Sequence, residues 1–133
     1  MSENIQEKFQ QLVQKLGQLV RDEVNKVLSL PKVKDSKKSN GPAWNSAFVD
    51  VRWFADAEGW SAKLRAVLPS GNLYSLATTT EIEKIFMKLS DIRKANNIAK
   101  WYGLKVSLTY EGIVTSELNN DPNCIIDITF LQS

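Results

Sequence analysis

The chain has 133 residues, with 17 lysines and arginines against 15 aspartates and glutamates, one cysteine and no histidine. Without imidazole it cannot build a histidine-based triad, proton shuttle or zinc site alone, and a lone thiol closes no internal disulfide, which fits a reducing compartment. The 43% apolar and 24% charged fractions exclude collagen-like or wholly disordered classes and predict one globular domain over residues 1–133. No apolar run approaches the roughly 20 residues that span a bilayer, and the start Met1-Ser2-Glu3-Asn4 lacks the regions of a signal peptide, so the expectation is a soluble cytoplasmic protein away from membranes.

In chain order, Ile5, Phe9, Leu12, Val13, Leu16, Val20, Val27 and Leu28 recur at helical intervals and predict an amphipathic helix of about 25 residues. Gly17 within it either admits a close neighbour or marks a slight bend. Pro31 ends the helix, and the charged, apolar-poor run that follows predicts a mobile loop over about 31–43. From Ala47 the period becomes two, with Ala47, Val49, Val51 and Trp53 on one face and Phe48, Asp50, Arg52 and Phe54 on the other. A turn at 56–59 leads into a second alternating run from Trp60 to Leu68, and Pro69-Ser70-Gly71-Asn72 into a short third strand, Leu73 to Ala77.

Thr80-Glu81-Ile82-Glu83 has capping-box spacing and starts a second helix, with Ile82, Ile85, Phe86, Leu89 and Ile92 as its stripe and Lys84, Lys88, Arg93 and Lys94 on its solvent side. Asn96-Asn97 is its expected end, with one more turn through Ile98-Ala99 as the alternative. A hairpin follows, from Leu104 to Tyr110, through Glu111-Gly112, and back to Leu118. After the turn signal Asn119 to Asn123, alternating Ile126, Ile128 and Phe130 predict a last strand. The order α-β-β-β-α-β-β-β describes an α+β fold, a largely antiparallel sheet of five or six strands covered by two helices.

The search for chemistry returns little. Asp50, Asp56 and Glu58 are the nearest approach to a carboxylate cluster, but Asp56 and Glu58 belong to a turn. The spacing of Cys, Asp and Glu matches neither a zinc nor a calcium site, the glycines form no phosphate cradle, and Cys124 opens an apolar segment as a structural thiol does. No cofactor is implied. Trp53 and Trp60 flank the first hairpin and pair across it, while Trp44, beside Pro42 at a loop end, is the candidate interface anchor. Lys32, Lys34, Lys37 and Lys38 are interrupted by Asp35 and have no interleaved aromatics, so no direct nucleic-acid contact is expected. Charge is uneven: residues 101–133 carry one lysine, Lys105, against Glu111, Glu117, Asp121 and Asp127. That last quarter of the chain can act as an acidic docking surface for a basic partner.

The long first helix, three-strand meander, capped second helix and terminal hairpin together resemble the YezG-like bacterial immunity proteins, antitoxins of polymorphic and contact-dependent growth inhibition toxins. Locally the resemblance rests on Trp101, Leu104-Lys105-Val106-Ser107-Leu108, Glu111-Gly112 and Asn119-Asn120-Asp121, although this chain is slightly basic overall. It implies a non-enzymatic immunity protein that binds the C-terminal domain of a cognate toxin, a nuclease in the expected case, and occludes its active site stoichiometrically. Charge and loop position assign the contact: Glu111, Glu117 and Asp121, together with Asp56 and Glu58, for steering; Asn119 and Asn120 for directional hydrogen bonds; and Trp44 as anchor. The competing readings are an adaptor or secretion-chaperone domain using the first helix's apolar stripe, and a small enzyme with a sheet pocket lined by Asp50, Arg52 or Tyr74. Oligomeric state is left open.

Overall fold

The computed structural model describes residues 2–28, 43–55, 58–95 and 101–133. The loop expected at about 31–43 lies outside the described residues but for position 43, and Asp56 and the helix end expected at Asn96-Asn97 lie outside them entirely.

Helix α1 covers Ser2–Leu28. Its 3.6-residue period puts Val13, Leu16, Val20, Val24 and Leu28 on one stripe, all 2% exposed or less, with Lys and Gln on the far side. Each such side chain contributes about 1.5–3 kcal/mol by leaving water. The strands are β1 (Ser46–Trp53), β2 (Trp60–Val67), β3 (Leu73–Leu76), β4 (Gly103–Thr109) and β5 (Val114–Asn119), with helix α2 (Thr80–Ala95) between β3 and β4. They form one antiparallel sheet in the order β3-β2-β1-β4-β5. The chain is thus an α+β protein.

The first three strands are a meander growing away from β1, and α2 carries the chain back so that β4 pairs with the other side of β1. β1 alternates strictly: Ala47, Val49, Val51 and Trp53 are buried toward the helices, and Phe48, Asp50 and Arg52 face the opposite side. Trp53 stands directly opposite Trp60, as the hairpin pattern requires. The ring of Trp53 meets that of Trp101 edge-on at 5.4 Å, Trp101 meets Phe9 at 5.6 Å, and Trp60 meets Phe86 at 5.8 Å, so aromatics stitch the sheet to both helices.

Three expectations are corrected. The segment after Asn119 is no strand: Cys124–Ile126 forms a 3₁₀ turn and Ile128–Gln132 a short helix, α3. Asp127 is the cause, since its carboxylate accepts from the N–H groups of Thr129 and Phe130 and caps that helix, overriding the apolar alternation. The α2 cap is one residue earlier than the box Thr80 to Glu83: the Thr79 hydroxyl accepts from Ile82 N–H, and Glu83 accepts instead from the Thr78 hydroxyl at 2.7 Å. Arg93, expected on the solvent side of α2, is buried at 9% exposure because it lies four residues after Leu89 on the apolar stripe. Its Nε donates to the Trp101 carbonyl at 2.7 Å, its guanidinium lies over the Trp53, Trp101 and Tyr102 rings, and loss of solvation pushes its pKa down.

Gly17 is buried where α1 crosses β5, and a Cβ there would stand 2.8 Å from Val114 Cγ2. Close approach, rather than a bend, is its reason. Gly17→Leu should therefore lower unfolding free energy by roughly 1–3 kcal/mol in urea titration despite better helix propensity. Pairing Gly17→Ala with Val114→Ala should be less than additive, and full additivity would show that the two positions do not touch.

Candidate functional site

The face of the sheet turned away from α1 and α2 is charged in a regular way. Register sets Lys63 opposite Asp50, Asp50 opposite Lys105, and Lys105 opposite Glu117, so charges alternate across β2, β1, β4 and β5. One position along, Arg52 lies two residues from Asp50 on the same side of β1 and grips it with two bonds, Nε to Oδ1 at 3.0 Å and Nη2 to Oδ2 at 3.1 Å. Both side chains of this pair are 16% exposed. Burial works against the Arg52 charge, but the hydrogen bond and charge of Asp50 outweigh it and hold the pKa above its ordinary value.

The same guanidinium fixes the chain's last segment. Arg52 Nη1 donates to the Cys124 carbonyl at 2.7 Å, and the guanidinium carbon sits 4.2 Å from the centre of the Phe130 ring. Lys63 reaches the Leu131 carbonyl and Arg65 donates to the Ser133 carbonyl at 3.0 Å. Cys124, Ile125 and Phe130 are consequently buried against the charged face, while Ile126, Ile128 and Leu131 remain exposed on the segment's outer side. Burial pushes the Cys124 thiol pKa up, partly offset by Arg52, which keeps it neutral and weakly nucleophilic near pH 7.

Beside this segment lies a half-open recess of about 180 Å³, lined by Asp50, Arg52, Leu104, Lys105, Glu117, Leu118 and Asn119. Lys105 Nζ lies 4.5 Å over the Phe48 ring on the same face. Tyr74, a third candidate for a sheet pocket, is not there: it pairs with Ala66 and packs on the helix side. The Asp50 and Arg52 charges satisfy each other, so in this arrangement the recess offers Lys105 and Glu117 as its available ionic groups.

The residues expected to contact a partner are dispersed. Glu111 occupies the β4–β5 turn, whose Gly112 takes φ +104°. Glu117 projects from β5 onto the charged face, and Asn119, Asn120 and Asp121 follow at the opposite end of that strand. Asn119 Oδ1 accepts from Asp121 N–H and Asp121 Oδ1 accepts from Asn123 N–H, so these oxygens stabilise the turn before serving any partner. Glu58, exposed, is held by Lys94 at 2.8 Å. Asp56 lies outside the described residues. Trp44 is corrected: it is 1% exposed, donates from Nε1 to Asn25 Oδ1 at 2.8 Å, and meets Tyr110 edge-on at 5.2 Å. It ties α1 to the start of β1 and is closed to a partner. The first-helix stripe invoked for an adaptor is likewise spent in the core.

The sequence reading did not assign Arg52 its role as a pin. A signal existed, because opposite charges two apart on an alternating strand share a face; nothing signalled that residues 124–133 return over that face. No protein-family model matches the chain, and no curated protein matches it either. Among the described residues, no helix is long and apolar enough to cross a membrane.

Arg52→Met removes the pin while keeping an unbranched apolar stem. Cys124 should then react with an aromatic disulfide reagent about tenfold faster or more, through local opening, with the far-ultraviolet dichroism unchanged. An unchanged labelling rate would show that apolar contacts alone hold the segment.

Proposed function

We propose that this chain is a binding protein of the immunity kind, which neutralises a cognate bacterial toxin domain, in the first instance a nuclease, by stoichiometric contact that covers the toxin's active site. The observation that carries the reading is the exposed carboxylate line of Glu111, Glu117 and Asp121 along the β4–β5 hairpin and its following turn. Among the described residues none of the three is in an ion pair, whereas Glu58 and Asp50 are. A nuclease presents cations to hold phosphates, so an acidic partner competes for the same groups. Carboxylates held in no ion pair raise the rate of encounter with such a surface, which a neutraliser of a lethal enzyme needs. The resemblance of the element order and of the segment around Trp101 to YezG-like immunity proteins supports the same assignment, and the proposed setting is the bacterial cytoplasm.

Of the residues first assigned to the contact, Glu111, Glu117 and Asn120 are free to serve it, Asn119 and Asp121 serve it with what the turn leaves them, and Trp44 is withdrawn. Co-expression with a candidate toxin domain, sought first in the gene immediately upstream, is the direct test, read as survival of the host and co-purification of the two chains. Survival that depends on this chain supports the reading; cell death despite its soluble expression removes it. In the purified pair, Glu111→Lys with Glu117→Lys should slow association several-fold at low ionic strength, and the difference should shrink in high salt as screening rises. Asp121 is left intact in that variant because its carboxylate holds the turn. Equal association rates at low salt would take this surface out of the contact.

A further inference from the structure

β4 is bonded on both sides, and its backbone groups must alternate between neighbours. Trp53 N–H donates to the Tyr102 carbonyl and Tyr110 N–H to the Asn45 carbonyl, so the even-numbered residues of β4 bond β1. Thr109 N–H donates to the Ile113 carbonyl, so the odd-numbered residues bond β5. It follows that Thr115, Glu117 and Asn119 spend their backbone groups on β4, while the N–H and C=O groups of Val114, Ser116 and Leu118 point outward from the sheet. Among the described residues nothing bonds them. The opposite edge is shorter: Leu68 N–H donates to the Asn72 carbonyl, which by the same parity leaves only Leu73 and Ser75 of β3 outward.

Exposed edges are normally blunted by proline, lysine, a bulge or a covering element. β5 pairs with β4 in continuous register over Val114–Asn119 and contains neither proline nor lysine. Its side chains are open too, with Leu118 48% exposed and Ile113, just before the strand, 65% exposed. Chemistry along it is two-sided: Thr115, Glu117 and Asn119 on the charged face, Val114, Ser116 and Leu118 on the helix side.

We infer that β5 is a docking edge that receives an extended strand of the partner, paired antiparallel, with a lysine or arginine opposite Glu117 and apolar residues opposite Val114 and Leu118. This deepens the proposed function and rests on the chain acting as a binder. Charge selects the occupant. In the added pairing Glu117 falls at a non-hydrogen-bonded position, where facing side chains approach most closely, so a cation there is favoured and an anion is repelled. Glu111 and Asp121 flank the strand at its two ends and extend the same preference. A second copy of this chain fits less well. Pairing β5 with itself about Ser116 would bring the acidic turn of one copy, at Glu111, toward Asp121 of the other.

The probe is a short blocked peptide alternating lysine with valine, followed by amide NMR on the intact protein. Binding should shift and protect the Val114, Ser116 and Leu118 N–H groups. A glutamate-for-lysine peptide should bind at least about tenfold more weakly. Methylating the valine nitrogens, which face β5 in this register, should abolish binding, and methylating the lysine nitrogens, which face away, should not. Ser116→Pro removes one outward donor without touching a β4 bond and should lose binding; Glu117→Gln, which leaves the backbone intact, should weaken it several-fold should the proline variant fail to fold. Absence of binding, equal binding of the two methylated peptides, or shifts centred on the Asp50–Lys105 recess would overturn the inference. A protein that already sediments as a dimer, dissociated by Ser116→Pro, would also overturn it, by giving the edge to a second copy. If wild type and a folded Ser116→Pro neutralise a toxin equally, the edge falls and the function stands. If the peptide pairs with β5 and no toxin is neutralised, the edge stands and the function falls.

Discussion

β1 is hydrogen-bonded along its length to β2 on one side and β4 on the other, and each of its faces is claimed by a different part of the chain. Toward the helices it presents Ala47, Val49, Val51 and Trp53, which the stripes of α1 and α2 cover. Toward the other side it presents Phe48, Asp50 and Arg52, and there the final ten residues of the chain come to rest. A strand so fully engaged has no capacity left for a partner. Among the described residues, what is left to offer a partner lies at the sheet's margins or on the outside of the segments that cover it.

That constraint explains why the charged face is not an empty concavity. A guanidinium held by Asp50 would be costly to desolvate without further partners, and the Cys124 carbonyl and the Phe130 ring supply them. Arg52 therefore joins the sheet to a segment too short to fold by itself. The recess that remains, about 180 Å³, is what this covering leaves between β1, β4 and β5, and two of its four charges are already neutralised by each other. Glu117, on β5, belongs both to the recess and to the margin of the sheet.

An inhibitory role and an unsatisfied edge are physically compatible. A protein that acts by covering another's catalytic groups needs a rigid surface with unused bonding capacity, because order already present in the free state is not a cost at the moment of binding. The edge-on contacts among Phe9, Trp53, Trp60, Phe86 and Trp101 tie the sheet to the helices, and Gly17 lets α1 lie directly against Val114. β5 is thus supported from behind while its outer side stays open. Glu117, which is in no ion pair among the described residues, would bias the choice of a partner at this edge, whereas Asp121 also holds the following turn.

Much of the architecture was readable in the chain, for reasons of periodicity. Ala47 to Trp53 alternates because one face is buried, Val13 to Leu28 steps by three and four for the same reason, and the Glu111-Gly112 turn needs a residue tolerant of positive φ. The errors arose where a local pattern met a competing interaction. Ile126, Ile128 and Phe130 alternate like a strand, yet the Asp127 carboxylate caps a helix through them; Arg93 reads as solvent-facing, yet it bonds the Trp101 carbonyl among aromatic rings; Trp44 reads as an exposed anchor, yet Asn25 on a distant helix takes its indole N–H.

Residue counts by themselves established that no imidazole chemistry is available to this chain alone and that residues 101–133 are acidic. Only the tertiary structure decided which carboxylates are spent and which are free. It pairs Asp50 with Arg52 and Glu58 with Lys94, and it leaves Glu117 facing solvent beside a strand whose outward hydrogen bonds are unmade. Strand order makes β5 an edge, and strand order depends on α2 returning the chain to the far side of β1, which is a fact of packing among distant residues.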